Sequence, residues 1–382
     1  MTETGTQGVA IVGGGLAGMA LALALQRQGV DAQIYEARQR AGILDDKRIL
    51  ALSHGSRQIL EWLGVWSSID ATPIETIHVS QKGGLGRARL TAQQEGVPAL
   101  GYVAAVASVG AALDSALAGA GIVFHAHTRV EQAQVAADRV TLNCGDTAVA
   151  AKLVVYAEGA IAPDTTAVVH DYGQDALICT VAVDAADSSQ RHVAYERFTP
   201  QGPLALLPYA GQLAVVYTCP AESSALLADL SDAAFLANLQ GHFGSRLRFA
   251  SVSPRHVFPL TLRYRKSPVG LRSVWLGNAA QTLHPVAGQG LNLALRDVWE
   301  LARTLAHAAD PGAPSLLARY AAARQLDRRS VIGFTDSLVQ LFSNDNPLLR
   351  HARGLGLLAL DLLPPLRGFV ARRMLYGARA WP

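Results

Sequence analysis

The sequence predicts an α/β protein: a parallel, doubly wound sheet joined to a mostly antiparallel sheet and closed by C-terminal helices. Three observations predict this. Val9-Ala-Ile-Val runs straight into Gly13-Gly-Gly-Leu16-Ala17-Gly18 and then into an apolar helical stretch. From about 170 to 262 the chain breaks into short alternating segments. A second glycine-rich turn, inside 273–297, lies late in the chain where a buried strand gives way to another helix. With 382 residues, two intimately joined domains are expected rather than one small core.

The N-terminal unit reads as strand Val9–Val12, helix Met19–Gln28 closed by Gly29, and strand Ala32–Glu36. That is the βαβ setting a G-x-G-x-x-G pattern requires. Gly13 makes the tight turn, Gly15 lets a pyrophosphate approach, and Gly18 lets helix and strand pack closely. Glu36 ends the second strand 18 residues beyond Gly18, where a carboxylate accepts hydrogen bonds from ribose hydroxyls and repels a 2′-phosphate. The loop itself leaves open whether NAD or the adenosine half of FAD binds. The uncharged run Gly8–Leu25 could pass for a membrane or signal segment, but its four glycines between 13 and 18 argue against that.

Arg48 follows in Asp45-Asp-Lys-Arg, where a guanidinium meets a phosphate or flavin, or is simply solvated. Further expected elements are a helix through Leu60 ending near Gly64, strand Ile74–Ser80, helix Val109–Ala120 and strands Ile122–His125 and Arg139–Asn143. Lys152–Glu158 is a buried strand ending in an acid and a glycine, and ligands gather at such carboxyl ends. The alternating region supplies strands Ala176–Val183, His192–Phe198, Leu204–Leu207 and Gln212–Thr218, a platform for a substrate. Period two puts Tyr195 and Arg197 on one face and Glu196 and Phe198 on the other. Either face can line a pocket.

In the late turn, Ser273-Val-Trp-Leu is a short strand that stops at Gly277-Asn278, where a small polar side chain reaches a hydroxylated ligand. Pro285 breaks the path, and Gly288 and Gly290 let backbone approach something flat. Leu291, Leu295, Val298, Leu301, Ala302 and Leu305 then fall at helical spacing. A helix beginning at Gly288–Asn292 offers its free N–H groups to negative charge. Helices follow at Ser231–Phe243, at Ser315–Arg329 and onward to the C-terminus. Residues 350–382 carry six arginines and one aspartate among leucines, which suits either a helix lying on anionic lipid or one covering the core.

Composition excludes several classes. A net charge of +3 without aromatic-basic interleaving gives no reason to expect nucleic acid. Cys144, Cys179 and Cys219 are scattered with no C-x-x-C, so neither zinc nor a disulfide framework is expected, and a cytoplasmic setting fits. No metal-ligand constellation and no nucleophile elbow stands in the sequence.

The N-terminal βαβ together with Gly277-Asn-Ala-Ala-Gln-Thr-Leu-His-Pro-Val-Ala-Gly-Gln-Gly-Leu-Asn-Leu resembles the FAD-dependent aromatic hydroxylases. Within them it is most similar to the ubiquinone-biosynthesis hydroxylases of the UbiH (2-polyprenyl-6-methoxyphenol hydroxylase) type. Further carriers are Asp46-Lys-Arg48 with Ala51-Leu-Ser, Tyr195-Glu-Arg-Phe-Thr with Gly202-Pro-Leu-Ala-Leu-Leu-Pro208, and Thr335-Asp-Ser-Leu-Val-Gln-Leu-Phe342. The resemblance implies a Rossmann-like FAD-binding domain of the para-hydroxybenzoate hydroxylase type, from 1–72, 97–168 and 264–330. It implies a substrate domain from 73–96 and 169–263, and a C-terminal helical segment 331–382.

It also implies roles. Gly13, Gly15, Leu16, Ala17 and Gly18 cradle the FAD pyrophosphate, Glu36 holds the adenosine ribose, and Arg48 approaches phosphate or flavin. Asn278 contacts the ribityl chain or pyrophosphate, Pro285 lies beside the isoalloxazine, and Gly288, Gln289, Gly290, Leu291 and Asn292 face its N1/O2 edge. His284 either assists phenol deprotonation or is a satisfied structural histidine, and Tyr195, Arg197, Phe198 and Pro208 are the candidate substrate residues, with core packing the competing reading for the aromatic ones. The implied reaction uses NADPH or NADH and O₂ through a flavin C4a-hydroperoxide to hydroxylate a prenylated phenol. A small soluble phenol, or a flavoprotein reductase or complex subunit that does not oxygenate, are the competing readings. Peripheral contact with the inner face of the cytoplasmic membrane through 350–382, and membership of a biosynthetic complex, accompany the first reading. Two departures from the family bear on the nicotinamide contacts: no arginine follows Glu158-Gly159, and Ala104-Ala105-Val106 is apolar.

Overall fold

The computed structural model describes residues 4–84, 86–161, 167–184, 191–285, 288–342 and 347–377. Its first sheet has the parallel order Ser273–Trp275, Thr147–Tyr156, Thr4–Val12, Ala32–Tyr35, Phe124–His125. The strands are buried on both faces, which is why they read as continuous apolar runs: Val9, Ala10 and Ile11, and Leu153, Val154 and Val155, are fully enclosed. One face carries helix Leu16–Arg27, whose residues Gly18 to Leu25 are all buried. Helix Gln289–Leu305 packs into the same core through Leu295, Val298, Leu301, Ala302 and Leu305. The opposite face is covered by the antiparallel extension Val140–Cys144 and Gln132–Val135.

The second sheet has nine strands and is antiparallel except where Val193–Thr199 runs parallel to Thr76–Gln81. Its central strands are Ala167–Val183, Gln212–Pro220, Gly202–Tyr209 and Val193–Thr199. One face buries Leu177, Tyr195, Leu204, Leu206, Val215 and Tyr217 against Phe235, Leu239 and Phe243 of helix Asp232–Phe243. The other face looks toward the first domain. A small sheet of Ile49–Ser53, Gly101–Ala105 and Ala71–Ile74 joins the two.

Several boundaries differ from expectation. The first helix begins at Leu16 because Gly15 is its N-cap, and Glu36 lies just beyond a strand that ends at Tyr35. The strand expected from Ala176 begins at Ala167, and a register shift between Asp171 and Gln174, with Gly173 at φ +61°, disguises its period in sequence. The domain boundary expected between 330 and 331 falls inside one continuous helix, Pro314–Phe342. Helices Pro347–Leu362 and Pro364–Tyr376 complete the C-terminal segment.

Candidate active site

The first glycine loop is built by contacts that side chains would forbid. Gly13 sits at φ +108°, and a Cβ there would come within 2.7 Å of the Ala157 carbonyl. A Cβ on Gly18 would reach 2.0 Å from the Gly13 oxygen, so this glycine closes the helix onto the strand. Gly15 differs: nothing lies within 4 Å of where its Cβ would be, and no side chain caps the helix it begins. An open cradle faces an uncapped helix N-terminus, as a pyrophosphate requires. The Glu36 carboxylate accepts the Gly14 N–H at 2.7 Å and the Arg38 N–H at 2.9 Å. Burial alone would raise its pKa, but these bonds and the Arg38 charge prevail and hold it below the usual carboxylate range. Its remaining lone pairs suit ribose hydroxyls.

The late glycine loop meets the first. Gly277, at φ +58°, sits so close to the N-terminal helix that its Cβ would lie 3.2 Å from that of Ala17 and 3.7 Å from that of Ala294. Asn278 is exposed beside it and donates through Nδ2 to the Gly159 carbonyl at 3.3 Å, joining the ends of two parallel strands. Glu158, next to Gly159, has its carboxyl pushed up by burial and by the charge of Glu36. Gly288, at φ +60°, begins helix Gln289–Leu305 without a side-chain cap, and its Cβ would lie 2.9 Å from that of Ala51. Gly290 has open space where a Cβ would stand, Gln289 is buried, and Leu291 packs against the main core. The intervening Val286 and Ala287 lie outside the described residues.

Asn292 is committed to holding this helix in place. Its Oδ1 accepts from the Ser53 N–H at 2.8 Å and the Ser56 hydroxyl at 2.6 Å, and its Nδ2 donates to the Ala51 and Gly288 carbonyls. The resemblance had placed Asn292 at the cofactor through its backbone; its side chain instead ties the helix start to strand Ile49–Ser53. A second, buried network lies one turn deeper. Arg324 pairs with Asp297 and Asp327, both at 2.6 Å, and Arg296 reaches Asp327 at 2.7 Å. Gln281 donates to Asp297, and Arg328 donates to Gln281, so the segment after Asn278 is roped to the long C-terminal helix.

Arg48 is held by Asp46 in a two-pronged ion pair, Nε to Oδ1 at 3.0 Å and Nη2 to Oδ2 at 2.5 Å. The pairing raises the guanidinium pKa further. His284 is enclosed with its ring edge-on to Tyr172 at 5.5 Å, and burial lowers its pKa to about 4. The Tyr172 hydroxyl donates to Asp336 at 2.9 Å. Pro285 accepts the Gly288 N–H and so shapes the approach to the helix.

The four candidate substrate residues do not come together. Tyr195 stacks on His78 at 5.6 Å and meets Phe243 edge-on within the core beneath the sheet. Arg197 donates to the His242 carbonyl and to Ser80 on that same side, and Pro208 shares the face of Leu204 and Leu206. Phe198 points the other way, against Val339, Tyr172 and Leu338. Ala194, four residues back on the same face, packs with Val103 and Ile49. The face of Ala194, Glu196 and Phe198 is therefore the one turned away from helix Asp232–Phe243, with Ile49 packed beside one end and Tyr172 beside the other. Sequence reasoning missed Ser53, Ser56, Tyr172 and the Asp297–Arg324–Asp327 network. The only available signal was charged residues placed at apolar helical positions in 296–328.

The open cradle at Gly15, the carboxylate of Glu36 and the uncapped helix at Gly288 fit FAD stretched between the two loops. FAD bound there would supply redox and oxygen chemistry, and the N–H groups beginning helix Gln289–Leu305 would favour negative charge on its ring. Fold and site thus define a flavin-dependent monooxygenase. The family model described as FAD binding domain matches residues 6–335. The ubiquinone hydroxylase UbiL of Rhodospirillum rubrum is 34% identical over 98% of this chain and 90% of its own length. The 3-demethoxyubiquinol 3-hydroxylase of Escherichia coli is 32% identical over 94% of this chain and 96% of its own. Among solved structures, the p-nitrophenol 4-monooxygenase PnpA of Pseudomonas putida shares the fold, with a TM-score of 0.78 at 18% identity over 99% and 100% of the two chains. The chain belongs to the FAD-binding monooxygenase family, in its branch of ubiquinone hydroxylases.

Proposed function

We propose that the protein hydroxylates the aromatic ring of a polyprenylated phenol on the route to ubiquinone, using NADPH or NADH and O₂. The observation that carries this is the meeting of two glycine-led helix starts without side-chain caps, at Gly15 and Gly288, with Gly277 packed against Ala17 between them. The names of the two ubiquinone-pathway relatives support the substrate class. The protein's own part is to bind, orient and exclude water. Ala194 and Phe198, on the sheet face turned away from helix Asp232–Phe243, and Val339 beside Phe198 are buried and keep the reacting ring dry.

A membrane surface is the proposed source of so apolar a substrate. Helices Pro347–Leu362 and Pro364–Tyr376 meet at a bend of 96° and expose Leu355, Leu358, Leu362, Leu363, Leu366 and Phe369. Arg367 and Arg372 flank them, and the pairing of apolar and basic groups suits an anionic bilayer. Among the described residues no single helix is long and apolar enough to cross one. The second of these helices buries Ala371 and Leu375 beside Ile77 and Val79 of the second sheet, so the exposed leucines adjoin that sheet.

The test is to incubate FAD-loaded protein with NADPH, air and 2-polyprenyl-6-methoxyphenols of graded tail length, and to weigh the products. A gain of one oxygen that improves with tail length is expected. NADPH oxidation yielding only hydrogen peroxide for every phenol sinks the reading.

A further inference from the structure

The face of strand Val193–Thr199 turned away from helix Asp232–Phe243 carries an acid, one of whose oxygens has no partner among the described residues. Glu196 lies between Ala194 and Phe198 on the inward face of strand Val193–Thr199. Its strand neighbours are Val79 on one side and Ala205 on the other, with Val216 and Ile178 beyond. These are apolar. The Glu196 Oε1 is buried and has no hydrogen-bond partner among the described residues.

A glutamate in such a setting opposes folding, because its buried Oε1 gives up water and receives no hydrogen bond from the described residues. A leucine or glutamine would sit there at lower cost. A ligand that brings a hydroxyl group to this face would complete the orphaned oxygen. Three other ionisable side chains of the candidate site are engaged or unsuited. Arg48 is paired with Asp46, Tyr172 donates to Asp336, and the buried His284 is too weak a base.

We propose that Glu196 binds the hydroxyl of the phenol substrate and serves as its proton acceptor. This rests on the phenol reading given above. The Glu196 carboxylate takes the hydroxyl proton: the substrate O–H bond breaks, a carboxyl O–H bond forms, and the electron pair left on the phenolate spreads to the ortho and para carbons. One of these carbons bonds to the oxygen atom delivered by the flavin reaction, whose electrons come from NAD(P)H and whose oxygen comes from O₂. That carbon then loses its own proton to solvent as the ring becomes aromatic again, and Glu196 returns its proton to the substrate oxygen. The net change is one oxygen inserted and Glu196 restored. Burial raises the Glu196 carboxyl to about 7, well placed to exchange a proton near neutral pH.

The experiment uses the FAD-loaded full chain, its Glu196→Gln and Glu196→Asp variants, and 2-prenyl-6-methoxyphenol as probe. Anaerobic binding without nicotinamide is followed by the ultraviolet difference spectrum, which separates phenol from phenolate. Turnover is followed across pH by product mass. Wild type is expected to bind the probe with a phenolate band that grows through neutral pH. Glu196→Gln should bind it as the neutral phenol and lose roughly tenfold or more in hydroxylation, with its neutral-pH limb gone. Glu196→Asp should recover part of both. A Glu196→Gln enzyme that keeps the phenolate band, rate and pH profile overturns the proposal, as does failure of the wild type to bind any phenol. Wild type that ionises the phenol through Glu196 but adds no oxygen supports this inference while removing the proposed reaction.

Discussion

Asn292 Oδ1 receives the Ser56 hydroxyl at 2.6 Å across 236 positions of sequence, and with it the Ser53 N–H. One amide thereby fixes the start of helix Gln289–Leu305 against the turn into helix His54–Trp62. The N–H groups at the start of this helix, the proposed cofactor contact, are positioned by a side chain that need not itself touch FAD.

Asn292→Ala should therefore lower stability by roughly 2–3 kcal/mol, since the Ser53 N–H is left buried without its acceptor. Urea unfolding of the FAD-free protein measures this. FAD release should accelerate in the same variant.

The two loop glycines separate folding from binding. Gly15→Ala places a methyl in open space at an ordinary φ of −75°, so the FAD-free protein should unfold as wild type does. FAD affinity should fall by about tenfold or more, each tenfold being ~1.4 kcal/mol. Gly18→Ala meets the Gly13 carbonyl and should damage both. Fluorescence titration with FAD alongside thermal melts distinguishes the two cases.

Asp297 and Arg324 are a buried pair. Asp297→Ala leaves the buried Arg324 with Asp327 as its one remaining carboxylate and takes the acceptor from Gln281, and should cost about 3 kcal/mol. Replacing both partners with apolar residues should cost less than that single change, and a double-mutant cycle reads the difference.

Acid stability follows from His284. Its folded pKa, near 4, lies below the unfolded value of 6.5, so between these values the unfolded chain binds the extra proton. Stability should fall as pH drops from 6.5 toward 4 and then level off for this group. His284→Gln should flatten that portion, leaving the share of His78, which burial and neighbouring arginines also hold near 4. Glu196 acts in the opposite direction. Its folded pKa is raised, so its cost appears as pH climbs from the unfolded value through 7. Glu196→Gln should stabilise the protein above neutrality by up to roughly 3 kcal/mol.

Parts of this architecture are legible in the sequence because they are local. A βαβ unit with its glycines, and a helix announced by Leu291, Leu295 and Val298, depend on neighbours a few residues away. The alternation of 193–199 likewise shows that Tyr195 and Glu196 face opposite ways. It does not show which side meets helix Asp232–Phe243 and which turns away from it, because both faces carry an aromatic ring and a charge. The Asn292–Ser56 bond and the Asp297–Arg324 pair depend on contacts between segments distant in the chain, and no spacing encodes them. The strand Ala167–Val183 was half hidden because its irregularity at Asp171–Gln174 breaks the period of two.

The two-residue strand Gln281–Thr282 pairs with Tyr264 and Arg263 at the margin of the second sheet. The backbone that continues from Asn278 is thus the last rung of the ladder that carries the Glu196 strand. A shift of that strand on substrate binding would be carried along this ladder toward Asn278. A phenol entering the site should therefore shift the absorption bands of oxidised flavin before any electron has moved, so the colour of the resting enzyme reports whether its substrate is aboard.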